Sequence, residues 1–356
     1  MEIMTAKEAA EKWGISQRRV AVFCSENRIP GAQMVGNMWL IPKGTEKPVD
    51  ARCSGVDKDS TKSVKPFLKW AGGKGQLLKE IEKYYPFGDG KITRYAEPFV
   101  GGGAVLFDIL GKYELEAVYI SDINAELINA YTTVRDHVDE LTEMLSKYQS
   151  EYVPLETEMR KKYYAQKREV FNSLKTAGND KDGIEKAALM IFLNKTCFNG
   201  LYRVNRKGLF NVPMGAYKNP LICDEKNLYG VSEKLRNVKI VCGDYKLSAD
   251  FIDEHTFAYF DPPYRPLTDT ASFTAYTENS FDDDKQIELA RFVDKMSEKT
   301  AKVTVSNSEP KNIDGNDSFF DDIYANHRIK QVEATRMINC NSEARGRIKE
   351  LLISNY

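Results

Sequence analysis

The chain has 356 residues and a mass of 40.5 kDa, too much for one small module and about right for two or three domains. Fifty-one Lys and Arg stand against 52 Asp and Glu, a formal charge of −1, which excludes a histone-like polycation and an acidic tail protein but leaves local patches open. With 42% hydrophobic and 11% aromatic residues, and only 23 Gly and 13 Pro, it can bury a core and is neither collagenous nor broadly disordered. No apolar run approaches the ~20 residues of a membrane span, and the start, MEIMTAKEAAEKW, lacks the apolar core of a signal peptide. Cysteines at 24, 53, 197, 223, 242 and 340 form no CxxC pair, and three histidines cannot complete a zinc site. A cytoplasmic, metal-free protein with reduced thiols is expected.

Residues 1–45 read as a unit of their own. Thr5 and Glu8 have the spacing of a capping box, opening a helix that runs to about Trp13 and stops at Gly14. Ser16 can cap a second helix, SQRRVAVFCSENR, with Arg18 and Arg19 in its first turn. Pro30-Gly31 breaks the chain, and MVGNMWLIP follows as a hairpin bent at Gly36-Asn37. Helix, turn, helix, hairpin is the outline of a winged helix-turn-helix and resembles small DNA-binding domains of the excisionase and MerR type. A helical cap packed on the rest of the protein is the alternative. Residues 46–65 are charged and polar without apolar periodicity, and are expected to be a linker.

From residue 66 onward strand and helix alternate, which argues an α/β fold. Strands are expected at TRYAEPF, EAVYISD, VKIVCGD, TFAYFDPP, KVTVSN and ELLISNY. A mostly helical stretch, roughly 126–195, and a turn-rich segment after it look like an insertion carried on the sheet.

Two strand ends suggest a nucleoside pocket. EPFVGGG (97–103) closes one strand before a helical run, where glycines let a ligand approach the backbone beside a helix N-terminus. The next strand ends in Asp122, twenty-one residues after Gly101, where a carboxylate can accept ribose hydroxyls. The loop is not GxGxxG, which disfavours a dinucleotide and leaves a mononucleoside such as S-adenosylmethionine; a helix-capping Asp122 is the alternative. The sharpest signal is Asp261-Pro262-Pro263-Tyr264. The prolines hold the backbone extended and remove two amide donors, so the Asp261 carboxylate and the Pro262 carbonyl can both accept from one exocyclic amine. That steers the nitrogen lone pair toward an electrophile, and Tyr264 offers a face on which a base can stack.

These segments carry a resemblance. PFLKWAGGK (66–74), EPFVGGG (97–103), DIN (122–124), Asn194–Gly215, GDY (243–245) and DPPY (261–264) occur in the order of the Dam-type adenine-specific DNA methyltransferases. The resemblance implies a Rossmann-like class I methyltransferase sheet over residues 66–356, with one antiparallel strand near its edge and a helical target-recognition domain inserted at 126–235. Residue by residue it implies S-adenosylmethionine contacts at Trp70, Lys74, Phe99, Gly101, Asp122, Ile123, Asp244, Tyr245 and Asp261, and catalysis by Asp261, Pro262, Pro263 and Tyr264. PFLKWAGGK lacks the GxxxxGK[ST] spacing, so nucleoside-triphosphate hydrolysis is not expected.

The segment 194–218 has five cations, Lys195, Arg203, Arg206, Lys207 and Lys218, and no acid, with Phe198, Tyr202 and Phe210 interleaved. Cations on phosphates and an aromatic in the space a flipped base vacates suit duplex DNA; a solvated basic loop is the alternative. The resemblance gives Arg203 a guanine edge, Leu201 and Pro213 a thymine methyl, Lys69 an outer guanine and Phe198 the place beside the target, with Asn199 and Asn205 as further DNA contacts. These positions match relatives that read GATC, and longer sites containing GAT fit as well, because Ala216 stands where relatives commonly have arginine. A monomer acting on double-stranded DNA is expected, with a companion restriction endonuclease compatible with the family. RNA or protein-glutamine methylation and a non-catalytic DNA-binding regulator are the competing readings; glutamine enzymes typically show NPPY.

Overall fold

The computed structural model describes residues 3–13, 15, 17–25, 28–36, 38–48, 64–177, 182–265, 281–335 and 347–356. The N-terminal unit holds β1 (Ile3–Thr5), α1 (Ala6–Trp13), α2 (Gln17–Ser25), β2 (Gln33–Val35) and β3 (Met38–Pro42), with β3 central in an antiparallel sheet of order β1-β3-β2. The capping box is made: the Thr5 amide donates to Glu8 Oε2 at 2.7 Å and the Glu8 amide to Thr5 Oγ1 at 3.3 Å. Those two bonds satisfy donors that the first turn leaves over. Met4, Ala9, Val20, Phe23 and Ile41 form a small core. Arg19 is buried rather than displayed: its guanidinium lies 4.5 Å from the Phe23 ring and 5.9 Å from that of Tyr229. Gly14, Ser16, Asn37, the Arg18 side chain and linker residues 49–63 lie outside the described residues.

The rest of the chain runs α3 (Leu78–Ile81), β4 (Arg94–Glu97), α4 (Ala104–Lys112), β5 (Ala117–Asp122), α5 (Ala125–Asp136), α6 (Val138–Tyr152), α7 (Thr157–Ala177), α8 (Gly183–Thr196) and α9 (Glu225–Leu235). It continues with β6 (Val238–Cys242), β7 (Thr256–Phe260), α10 (Asp283–Glu298), β8 (Lys302–Ser308), α11 (Phe319–Ile323), β9 (Arg328–Thr335) and β10 (Arg347–Ser354). Seven strands form one sheet in the order β6-β5-β4-β7-β8-β10-β9. The first five are parallel, and β10 runs antiparallel to both β8 and β9. This is the Rossmann-like sheet, with one reversed strand next to its edge. All six expected strands are present. The seventh, β9, was not foreseen.

Topology puts two loops together. From β4 the order moves outward through β5 and β6, then returns to β7 on the other side of β4. The switch point between β4 and β7 is where open α/β sheets leave a crevice at the strands' carboxyl ends. EPFVGGG leaves β4 and DPPY leaves β7, so both open into it. β7 is TFAYF, buried at all five positions, as a central parallel strand covered on both faces must be.

Helices α5 to α8 lie between β5 and β6 in the chain. α8 is their hub: Ala187–Asn194 are all buried, and the helix packs against α5, α6 and α7. An all-round apolar helix demands neighbours on every side.

Candidate active site

The glycine loop is built for close approach. Gly101 and Gly103 take left-handed φ of 47° and 72°, which an L side chain resists. A Cβ on Gly103 would stand 2.5 Å from the Tyr131 hydroxyl, and one on Gly101 would stand 3.0 Å from Trp70 Cδ1. Trp70 therefore lies over the loop, and the Tyr131 hydroxyl donates to the Gly101 carbonyl at 3.1 Å.

Asp122 accepts from the Gly101 amide at 3.1 Å and from the Asn124 amide at 2.9 Å. Burial pushes its carboxyl up, and the amides of Asn124, Gly101 and Ile123 oppose that. Asn124 is the N-cap of α5, accepting from the Leu127 amide at 2.9 Å, so capping is not what Asp122 is for. The next strand end joins it: the Gly243 amide donates to the Asp122 carbonyl at 3.0 Å. Phe99 stacks on Tyr245 with centroids 5.3 Å apart. Asp244 turns inward on its own loop, accepting from the Lys246 amide at 2.9 Å. Ile123 remains 68% exposed, an apolar side chain left open directly after the Asp122 carboxylate.

At the DPPY loop Asp261 Oδ1 lies 2.7 Å from the ammonium of Lys74 and accepts from Ser306 Oγ at 2.9 Å. Lys74 is only 5% exposed, donates also to the Gly72 carbonyl at 2.9 Å, and lies 4.7 Å from the Tyr264 ring. Sequence reasoning pointed the Asp261 carboxylate and the Pro262 carbonyl at a guest amine; here Oδ1 serves two donors, which leaves Oδ2 for that role. Gln286 locks the loop, donating to the Pro263 carbonyl at 3.0 Å while accepting from Asn307 Nδ2 at 3.0 Å. The Tyr264 hydroxyl donates to Glu350.

Behind the loop, Glu97 is fully buried and accepts from the Tyr95 hydroxyl at 2.7 Å. Its carboxyl is pushed up to about 8, chiefly by burial and further by the charge of Asp261, against the Tyr95 hydroxyl, the Leu106 amide and Lys74. A carboxyl raised in the fold is a stability statement. Between its ordinary 4.5 and about 8 the unfolded chain ionises while the native group stays protonated, so stability falls as pH rises through that window and levels off above it. Glu97→Gln keeps an acceptor for Tyr95 and removes the titration. Its urea midpoint is expected to gain on the native protein from pH 5 to pH 8; a constant difference across that range would mean that Glu97 is ionised in the fold.

A second cluster faces outward beside Trp70. Asn194, at the end of α8, accepts from the Lys69 amide at 2.8 Å and donates to the Lys69 and Gly200 carbonyls at 2.8 and 2.9 Å. After it the chain forms a turn and a hairpin with bridges Cys197↔Met214 and Val204↔Phe210. Lys69 is exposed and donates to the Tyr217 hydroxyl at 3.2 Å. Phe198 is 52% exposed, and Asn199 takes a left-handed φ of 55°. Arg203 is exposed, with Nε donating to Asn211 Oδ1 at 2.8 Å. Asn205 accepts from the Lys207 and Leu209 amides at 2.9 and 3.1 Å, so it shapes the hairpin's bend. Leu201 is half-buried and Pro213 exposed.

Comparison with known proteins agrees with this architecture. A family model described as D12 class N6 adenine-specific DNA methyltransferase matches residues 70–338. The chain is 52% identical over 296 residues to Type II methyltransferase M.MjaIII of Methanocaldococcus jannaschii, covering 82% of this chain and 99% of that protein. This chain belongs to the D12 class N6 adenine-specific DNA methyltransferase family. It is also 36% identical over 303 residues to Type II methyltransferase M1.LlaDCHI of Lactococcus lactis subsp. cremoris, covering 83% of this chain and 96% of that protein. With the DNA adenine methylase of Escherichia coli strain K12 it shares 35% over 291 residues, 82% of this chain and 95% of the other.

The enzyme is thus an adenine-specific DNA methyltransferase, and its family implies S-adenosylmethionine as the methyl donor. The residues present fit that group: a glycine cradle where a Cβ would clash, a carboxylate from the adjacent strand bonded to its Gly101 amide, and an aromatic pair from Phe99 and Tyr245. Among the described residues no group of His, Cys, Asp and Glu has the arrangement to hold a metal ion, and no helix is long and apolar enough to cross a membrane.

Sequence reasoning missed Ser306, Gln286, Asn307 and Glu350 in this methyltransferase. Ser306 had a signal. β7 pairs β8 in parallel with Phe260 opposite Val305, so the residue after Val305 stands beside the residue after Phe260. Asn307 follows Ser306 on β8 and acts through Gln286, whereas Gln286 and Glu350 arrive from segments that no local pattern links to DPPY.

Proposed function

We propose that this methyltransferase transfers a methyl group to N6 of an adenine flipped out of duplex DNA, within GATC or a longer site containing GAT. Asp261 carries this reading: it stands at the switch point beside the glycine loop, its rotamer fixed by Lys74 and Ser306. When bound, S-adenosylmethionine supplies a sulfonium methyl as the electrophile. Trp70, Phe99, Gly101, Asp122, Ile123, Asp244 and Tyr245 would hold it. Asp122 uses one lone pair on each oxygen for the loop amides and keeps others for ribose hydroxyls. Asp261 Oδ2 and the Pro262 carbonyl accept the two hydrogens of the target amine, and Tyr264 stacks against the base. Localising the lone pair on nitrogen makes it a nucleophile. The N–C bond would form as the sulfonium C–S bond breaks, with S-adenosylhomocysteine as the leaving group, and the cationic nitrogen would then lose its proton to water, so no strong base is needed.

Residues 126–235 form the target-recognition unit in this reading, with the hairpin at 194–218 as its tip. Phe198 fills the gap left by the flipped adenine, Arg203 donates twice to a guanine edge, and Lys69 meets the outer guanine. Leu201 and Pro213 contact a thymine methyl, while Asn199 and Asn205 shape and flank the tip. The N-terminal unit is the weaker DNA contact, since Arg19 packs inward against Phe23 and Tyr229. We place the enzyme in the cytoplasm as a monomer.

Labelled-methyl transfer to unmethylated plasmid, followed by sequencing of the modified adenines, tests activity and site together. Incorporation at a GAT-containing site is expected, and incorporation without adenine modification overturns the reading. Arg203→Ala should cost about 1–3 kcal/mol of discrimination at one base pair and relax the preference there. An unchanged ranking of sites in that variant would remove Arg203 from base readout.

A further inference from the structure

The recognition hairpin and the cofactor end of the sheet meet at one side chain. Tyr202, next to Arg203 in the chain, stacks on Trp70 with centroids 5.4 Å apart and planes 23° from parallel. Its hydroxyl donates to Glu126 Oε2 at 3.1 Å and accepts from Lys175 Nζ at 3.1 Å. Lys175 in turn pairs with Glu126 at 2.9 Å, with both side chains mostly covered. Glu126 lies in the first turn of α5, just past Asp122 and the Asn124 cap. The phenol hydroxyl is pushed well up, by burial first and by the Glu126 charge second, as befits a group locked in the network.

We propose that Tyr202 is a positioning residue that couples cofactor binding to DNA reading in this enzyme. The inference rests on the reading of Trp70 as a cofactor contact and Arg203 as a base reader. Trp70 overhangs Gly101, where a Cβ would reach its ring at 3.0 Å. A molecule seated in the glycine loop therefore fixes the indole. The indole fixes the Tyr202 ring, and Tyr202 fixes the backbone that aims Arg203. Ordering paid by the first ligand is not paid again by the second, so each tightens the other by the same factor.

The test measures four affinities on the full chain: S-adenosylhomocysteine alone, an unmethylated duplex carrying the modified site alone, and each in the presence of the other. The native enzyme is expected to show a reciprocal tightening on the order of tenfold. Tyr202→Met, which fills similar volume without a flat ring, should bring that factor below about twofold while leaving each separate affinity within about threefold. Tyr202→Phe, which keeps the stack, should restore most of it. A Met variant that keeps the native factor, or a native factor of one, overturns the proposal. If Tyr202→Met does not fold, Tyr202→Phe paired with Glu126→Gln tests the hydroxyl arm, and full retention of the factor in both confines coupling to the stack. Loss of that factor in Trp70→Leu must then follow, or the proposal fails. Native enzyme that binds neither ligand would instead overturn the site assignment on which the inference rests.

Discussion

Asp261→Asn is expected to lower single-turnover methyl transfer by at least ~10²–10³-fold, the range seen when one preorganised polar partner of a transition state is lost. The amide keeps a carbonyl oxygen for Lys74 and Ser306, which now meet Oδ1 at 2.7 and 2.9 Å. Its other end becomes a donor and faces the target amine with the wrong polarity. Asp261→Ala is the less informative variant. It removes the carboxylate from an ammonium that is 5% exposed, and an unpaired buried cation costs about 3–5 kcal/mol. Asparagine removes the same negative charge but still offers an oxygen to the ammonium and to Ser306, so it mixes lost stability with lost chemistry less than alanine does. Denaturant midpoints lowered in both variants, less for Asn than for Ala, with both inactive, are the expected pattern. Turnover within tenfold of native in the Asn variant would rule out the acceptor role.

Asn194→Ala should have the largest effect outside the catalytic loop. One amide side chain serves the Lys69 amide, the Lys69 carbonyl and the Gly200 carbonyl, and Asn194 is 4% exposed. Removing it leaves three backbone groups without partners, and leaving one buried polar group unmade costs about 1–3 kcal/mol. Partial rehydration near Lys69 trims the sum, so about 2–4 kcal/mol is expected from urea unfolding. The same change frees the turn at Gly200, where any Cβ would strike Lys69 at 2.4 Å. DNA discrimination should therefore fall together with stability. A variant with a native midpoint and native discrimination would show that the clamp is dispensable.

Much of this was legible along the chain. β5 and β7 announce themselves as the apolar runs AVYIS and TFAYF, and the loops after them hold the residues that chemistry demands. β9, RIKQVEAT, did not, because an edge strand paired only with β10 buries little: among its described side chains Val332 is the one buried apolar residue. Asn194 was hidden because it ends a helix buried all round, where no periodicity marks one position as special. Arg19 looked like a reading head from its place in the first turn of α2, yet burial against Phe23 turns it inward. Lys74 read as a cofactor contact, and its ion pair with Asp261 needed the fold to bring two distant segments together. Glu97 sat in a motif without a stated task, since nothing local reveals full burial.

The stretch from Pro66 to Lys74 adds no strand to the large sheet, every strand of which lies after it. Yet Asn194 grips its Lys69 backbone, its Trp70 covers the glycine loop, and its Lys74 meets Asp261. Its Phe67 and Leu68 are buried in the main core as well. Nine residues that build no strand thus tie the recognition turn, the glycine loop and the DPPY loop to one another, so an insertion or cut within them would disturb all three at once.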